Sequence, residues 1–232
     1  MVTLLENFGL LPSWLLTSLF IYLRYLLLAG TAYLVFYHWR IGPTFFSKIQ
    51  PAPPLTKRVK GELWESGITA LVFAGVGLFI AWLRAHGWTK VYLDPLAYGW
   101  WYLPLSFLLL VLLHDAYFYL VHRQMHRIPS LRKIHAVHHG SHNPTPLAAH
   151  AFHPLEALVE VAILPVIVLI LPVSHLVLIL FSLWAIGWNI IGHLGYELFP
   201  PGWVQHPLGR YVNTSTHHNQ HHQDGRYNFG LY

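Results

Sequence analysis

The chain has no cysteine, few charges and only two methionines. Without cysteine there is no disulfide, no thiolate-bound zinc and no cysteine-ligated iron–sulfur cluster. Charged residues make up 10% of the sequence, where a soluble domain carries about 25%. The formal net charge of +5 is too modest for a nucleic-acid footprint. The N-terminus lacks a basic region followed by a small-residue cleavage site, so no cleaved signal peptide is expected. There is no low-complexity segment and no internal repeat beyond one histidine motif.

What is present is apolar and aromatic. Hydrophobic residues account for 55% of the 232 positions, and the 10 Trp and 13 Tyr suit the aromatic belts of a membrane interface. A bilayer span needs about 20 mostly apolar residues. Such runs extend from Leu11 to Tyr37, from Gly67 to Leu83 and from Leu96 to Val121. A longer run from Leu155 to Ile191 is interrupted by Pro165 and Pro172; it reads as two short spans or as a re-entrant hairpin turning at Pro172-Val173-Ser174, with both ends on one side. Pro51-Ala52-Pro53-Pro54 reads as a stiff surface linker. Arg24 falls in the first apolar run; either residues 10–23 lie along the interface and the span begins later, or the charge is functional. The expectation is one all-α, integral-membrane helical domain over residues 1–232: membrane helices over 1–95 and a core over 96–232 that holds most of the histidines, with about four to five membrane helices or a re-entrant hairpin.

Basic residues orient this bundle. The first loop holds Arg40, Lys48, Lys57, Arg58 and Lys60, the second only Arg84 and Lys90. The positive-inside rule makes the first loop cytoplasmic. The end of the third run, with Arg123, Arg127, Arg132 and Lys133, and the segment after His193 then fall on the same side.

That side carries the histidines. His135-x-x-His138-His139 and His218-x-x-His221-His222 each place three imidazoles at i, i+3 and i+4, on one face of a helix. His122-x-x-x-His126 adds a pair at i, i+4. About 0.1 such H-x-x-H-H triplets would arise by chance at this histidine content. The 18 histidines run from His38 to His222, so they are not a purification tag. Imidazole suits Fe, Zn, Cu and Ni, and eight aligned rings exceed the needs of one ion and fit two. His193 could complete one ion's shell or bond to backbone. Asp115, seven residues before His122, reads as an acceptor for a ligand imidazole N–H or as the partner of a nearby Arg. Asn189, one turn before His193, is placed to orient a bound water. His217 breaks the face of the last cluster and reads as a supporting residue. His142, His150 and His153 line the cavity or lie on the surface. His114 is expected to point away from the His122 face, and His38, His86, His175 and His206 carry no assigned chemistry.

At these residues the chain resembles the fatty acid hydroxylase/sterol desaturase superfamily of membrane di-iron enzymes. The resembling text is His114-Asp115-Ala-Tyr-Phe-Tyr119-Leu-Val-His122-Arg123-Gln-Met-His126, then His135-Ala-Val-His138-His139, then Asn143-Pro-Thr-Pro-Leu-Ala-Ala-His150-Ala-Phe-His153-Pro-Leu-Glu156. It resumes at His193-Leu-Gly-Tyr-Glu197, His218-Asn-Gln-His221-His222 and Tyr227-Asn-Phe-Gly230, and covers roughly 115–232. The resemblance implies a membrane core under a helical cytosolic cap. It implies His122, His126, His135, His138, His139, His218, His221 and His222 as metal ligands, with His193 as a ninth. Some relatives have a further His where this chain has Asn189. It also implies two Fe ions (zinc being possible as purified), O2 as co-substrate, a lipid substrate oxidised at a C–H bond to an alcohol or an alkene, and electrons from a separate cytochrome b5 or ferredoxin-type donor. No fused cytochrome b5 domain is read in the sequence, and the Trp-Asp-containing segment with which the family usually continues is not among these 232 residues. The expected location is the plasma or inner membrane of a bacterium, or the endoplasmic reticulum of a eukaryote. Two rivals stand beside this reading. A zinc hydrolase would want a Glu among the histidines, as in H-E-x-x-H. A metal carrier would want ligands at the bilayer midplane.

Overall fold

Residues 2–40, 45–50 and 54–232 are described by the structure, a computed structural model. The Pro51-to-Pro54 linker falls largely outside them. A short helix α1 (Val2–Phe8) breaks at Gly9, whose φ is +75°, and α2 follows as one continuous helix, Leu10–His38. Two π-helical turns, Leu26–Gly30 and Leu34–His38, lie in its second half. After a short strand β1 (Ser47–Lys48) come α3 (Thr56–Ala85), β2 (Val91–Tyr92), α4 (Tyr102–Arg127) and α5 (Pro129–His139). The chain then forms α6 (Pro154–Val161), α7 (Ile163–Ile170), β3 (Val173–Ser174), α8 (His175–Gly192), β4 (Tyr196–Glu197) and α9 (Ser215–Asp224).

Among the described residues four helices, α2, α3, α4 and α8, are long and apolar enough to cross a membrane. Only 11–39% of their apolar windows is buried within the chain. Leu19, Leu27, Leu108, Leu112 and Leu183 face outward, as helices solvated by lipid require. Small and polar residues face inward instead: Ser13, Thr17, Ala29, Ser66, Thr69, Ala70, Ala74 and Ser106 are buried where helices approach closely.

Two apolar clusters tie the bundle. At the histidine end Tyr25, Ala29, Leu147, Ala149, Ile186 and Ile190 pack together. Further down, Leu110, Ile167, Val168, Val173, Val177 and Phe181 form the second. α3 spans between the two ends. Arg58 and Glu62 reach Ser141 near its start, and Lys90, just past its end, exchanges backbone hydrogen bonds with Val168 and Val173.

That last contact settles the proline-interrupted run. α6 and α7, broken at Ala162, descend to the far end, where β3 pairs in parallel with β2 (Val91↔Val173, Tyr92↔Ser174). Ser174 then caps α8 by accepting from Val177 N–H, and the chain returns. Pro165 sits in the first turn of α7, where no N–H partner is lost.

Three boundaries differ from the hydropathy reading. α3 starts at Thr56 rather than near Gly67, because its first turns carry the Arg58, Glu62 and Glu65 network that the apolar run does not include. α4 begins at Tyr102, after a turn through Trp100 and Trp101, and continues to Arg127. α2 is unbroken through residues 10–23, so Arg24 stands near the middle of a 29-residue helix, with no break where a separate interfacial segment would end.

Candidate metal centre

Four helix ends converge at one end of the bundle. α4 carries His122 and His126 in its last turns, and α5 follows after Ile128, with Pro129 at its first position. α8 ends with His193 as its C-cap. α9 opens on a capping box in which the Thr214 hydroxyl accepts from His217 N–H. Gly225 closes α9 in the left-handed conformation.

All nine sequence-predicted histidines meet there, in two groups. His122, His126, His135, His139 and His221 form one, and His138, His193, His218 and His222 form the other. Within each group the ligand nitrogens lie within 4.8 Å of one another. The two H-x-x-H-H motifs divide in mirror fashion. The first gives His135 and His139 to the first group and His138 to the second; the other gives His218 and His222 to the second and His221 to the first. Successive residues of a helix project about 100° apart, so adjacent histidines reach different centres. The groups abut, with the His139 and His222 rings 4.6 Å apart.

The hydrogen bonding shows what these nitrogens fit. The Nδ1 of His122, His138, His193 and His221 lie 2.7–3.3 Å from the carbonyls of Phe229, Ala151, Asn189 and Tyr227. A carbonyl only accepts, so each Nδ1 carries the proton and each Nε2 presents a lone pair. The Nε2 atoms of His138 and His193 nevertheless face each other at 3.2 Å. Two lone pairs cannot hydrogen-bond. Other Nε2 pairs within each group stand 3.0–3.3 Å apart. Such separations are those of imidazoles sharing one cation at about 2.0–2.1 Å. The donor set therefore fits two cations, one per group.

Electrostatics agree. Seven of the nine rings are buried. Burial, followed by repulsion from neighbouring imidazoles, holds His135, His138, His218 and His222 well below the ordinary imidazole range. Burial brings His139 to about 3, and His193 and His221 to about 4. Neutral rings are the ligating form. His135 has a stronger acceptor than a carbonyl: its Nδ1 lies 2.5 Å from Oε1 of Glu156.

A cavity of about 400 Å³ lies within the bundle next to this centre, lined by none of the nine histidines. Phe118, which packs on His122, and Phe152, which packs on His138, both line it, so it touches each group through an aromatic wall.

The other predicted residues are placed differently from expectation. Asp115 reaches no imidazole; its Oδ1 accepts from Leu231 N–H and Tyr232 N–H. It acts on the centre at one remove, by holding the segment whose Phe229 carbonyl orients His122. The Asn189 side chain donates to Ala149 O rather than facing a water site, although its own carbonyl receives His193 Nδ1. His114 does not point away. It lies on the buried stripe with Phe118 and His122, lines the cavity and is bonded to the Tyr232 hydroxyl at 3.0 Å. His150 is buried, stacks on Tyr25 and also lines the cavity. Burial, then the nearby Arg24 charge, pushes His150 down to about 3. His153 caps α6, His217 completes the α9 capping box and His142 is exposed. Glu156 was not picked out as a functional residue in the sequence. The available signal was a carboxylate in the first turn of a helix, just after His153-Pro154.

The family model Fatty acid hydroxylase matches residues 107–232, more than half of the chain and all nine histidines. The chain belongs to the fatty acid hydroxylase/sterol desaturase superfamily. Its relatives in this family include a Delta(7)-sterol 5(6)-desaturase of Gibberella zeae, 30% identical over 77% of this chain and 54% of the relative. The Lathosterol oxidase of Mus musculus is 29% identical over 94% of this chain and 70% of the relative. The Delta(7)-sterol 5(6)-desaturase of Saccharomyces cerevisiae is 28% identical over 96% of this chain and 57% of the relative. The chain thus spans little more than half the length of the two fungal enzymes. No solved structure matches it.

Proposed function

We propose that this family member is a di-iron, O2-dependent oxidoreductase that hydroxylates or desaturates a lipid at a C–H bond. The observation that carries the proposal is the pair of imidazole groups whose Nε2 lone pairs face one another beside an apolar cavity, behind Phe118 and Phe152. In this reading His122, His126, His135, His139 and His221 hold one iron, and His138, His193, His218 and His222 the other. The bound irons would supply activation of dioxygen with two electrons from a separate donor of the cytochrome b5 or ferredoxin type.

The chain's own residues do the rest. Backbone carbonyls of Phe229, Ala151, Asn189 and Tyr227 fix the tautomer and plane of four rings. Phe118 and Phe152 keep water from the end of the cavity where a substrate carbon would rest. Asp115 and Asn189 are positioning residues: the first fixes the C-terminal segment, the second fixes the Pro146–His150 turn. By the positive-inside rule the centre lies at the cytoplasmic face of a multi-pass membrane protein. Zinc hydrolysis is disfavoured, because the carboxylate at the centre, Glu156, sits behind His135 at its Nδ1.

Desaturation is the second reading, favoured by the names of the fungal relatives. Mass spectrometry of host lipids with and without expression separates the two. A lipid gaining one oxygen marks a hydroxylase, and one losing two hydrogens marks a desaturase. An unchanged lipid profile, with iron and reductant supplied, would contradict both.

A further inference from the structure

Arg24 is a cation near the middle of a 29-residue apolar helix, about 20 Å from either end. Its guanidinium turns inward, and Nη1 donates to Ser182 Oγ at 2.9 Å. Its Nε is buried without a partner. The ion pairs among the described residues are Arg58–Glu65, His135–Glu156 and Arg226–Asp224, so no carboxylate neutralises Arg24. Glu160, among the described residues the one carboxylate lining the same cavity, is not within ion-pair distance of it. A second polar group faces that cavity unsatisfied: His150 is only 5% exposed, and its Nδ1 has no partner. Its ring stacks on Tyr25, the residue after Arg24. Around these groups the wall is apolar, with Phe20, Phe73, Val76, Leu164, Phe181 and Ile186.

A half-buried cation without a counter-charge is costly in apolar surroundings, and its removal should if anything stabilise the fold. Guanidinium has only donors, arranged as a fork that matches a carboxylate. We propose that Arg24, held in place by Ser182, anchors the head group of the substrate, and that this substrate is a long-chain lipid ending in a carboxylate. The proposal rests on the lipid-oxidation reading above and names the substrate class for the same site.

The spacing gives it content. Ser182 precedes His193 by eleven positions on α8, about 16 Å along the helix axis. A lipid held at Arg24 therefore presents to the histidines a carbon far from its acid end. A sterol desaturated at its 5(6) bond, the reaction in the names of the fungal relatives, has its hydroxyl on the adjoining ring. It cannot reach Arg24 while offering those carbons to the metals. The anchor thus separates this chain's substrate from a 5(6)-desaturated sterol.

The test is displacement of the fluorescent fatty acid cis-parinaric acid from the full chain in phosphatidylcholine nanodiscs, with empty nanodiscs as blank and metal content measured in each sample. Palmitate should displace the probe at least about tenfold better than methyl palmitate or cholesterol, since only the carboxylate forms the charged pair. Arg24→Met should erase that preference, Arg24→Lys should keep part of it, and Ser182→Ala should weaken it. Arg84→Met, at the far end of the same cavity, should leave it intact. Equal displacement by acid and ester in the native chain would overturn the anchor, as would a preference surviving Arg24→Met or lost in Arg84→Met. The two proposals fail separately. Absent metal with an intact acid preference contradicts the di-iron reading and leaves the anchor standing; two metals with no acid preference contradict the anchor alone.

Discussion

His135 Nδ1 lies 2.5 Å from Glu156 Oε1, a contact between two buried residues on different helices, α5 and α6. A carboxylate behind a ligating imidazole fixes its tautomer and raises its basicity. Glu156→Gln keeps an acceptor but removes the charge. It should lower metal affinity about 10- to 100-fold at the first group and leave the second group loaded. Metal titration of purified protein reads this directly, and equal losses at both groups would show that Glu156 holds the fold and not one ring.

Adjacent histidines should behave as members of different centres. His138→Ala should lose the metal of the second group, and His139→Ala that of the first, each leaving about one ion per chain with membrane insertion intact. X-ray absorption on each variant counts the remaining nitrogen ligands. Retention of both ions in His138→Ala would remove that ring from the ligand set.

Acid should unload and destabilise the protein over a defined window. In the metal-free chain His193 and His221 stand at about 4, below the ordinary imidazole value of 6.5. Between these values the unfolded chain binds more protons than the folded one, so stability is full above 6.5 and falls as pH drops towards 4. Bound metal competes with the same protons and is released in the same direction. Thermal unfolding and metal content measured from pH 7.5 to 4 check this. A flat profile would contradict an all-imidazole shell.

Two glycines give independent handles on the two groups. Gly225 has φ +68°, and a Cβ there would lie 3.0 Å from His126 Cε1 and Nδ1. Gly225→Ala should cost about 1–2 kcal/mol through left-handed backbone strain and displace His126 from the first group. A Cβ on Gly192 would stand 3.3 Å from His218 Cγ, in the second group. Gly192→Ala should therefore depress metal binding at the second group without the backbone penalty. Thermal shifts alongside metal counts separate strain from ligand displacement.

The ligand histidines were legible because their spacing is local. Rings at i, i+3 and i+4 share a helix face whatever the helix packs against. Their division between two groups was not legible, because it depends on how α4, α5, α8 and α9 are arranged around one another. The same limit explains Asp115. Helical spacing puts it near His122, but the C-terminal Leu231 and Tyr232 amides, more than a hundred residues away in sequence, claim its carboxylate. Arg24 shows the converse. Hydropathy allowed an interfacial segment, and only the packing of α2 on α8 turns its side chain towards Ser182. The helical membrane architecture followed from the apolar runs. The polar start of α3 did not, since Arg58 and Glu62 are helical through contacts with Ser141 and Thr145 that hydropathy does not record.

The central claim is that the two imidazole groups hold two irons side by side. The most direct measurement is metal stoichiometry on the anaerobically purified full chain, combined with iron X-ray absorption. The account predicts two irons per chain in shells of nitrogen ligands, with a second iron at short range. One ion per chain, trace metal only, or sites that accept zinc and exclude iron would contradict it.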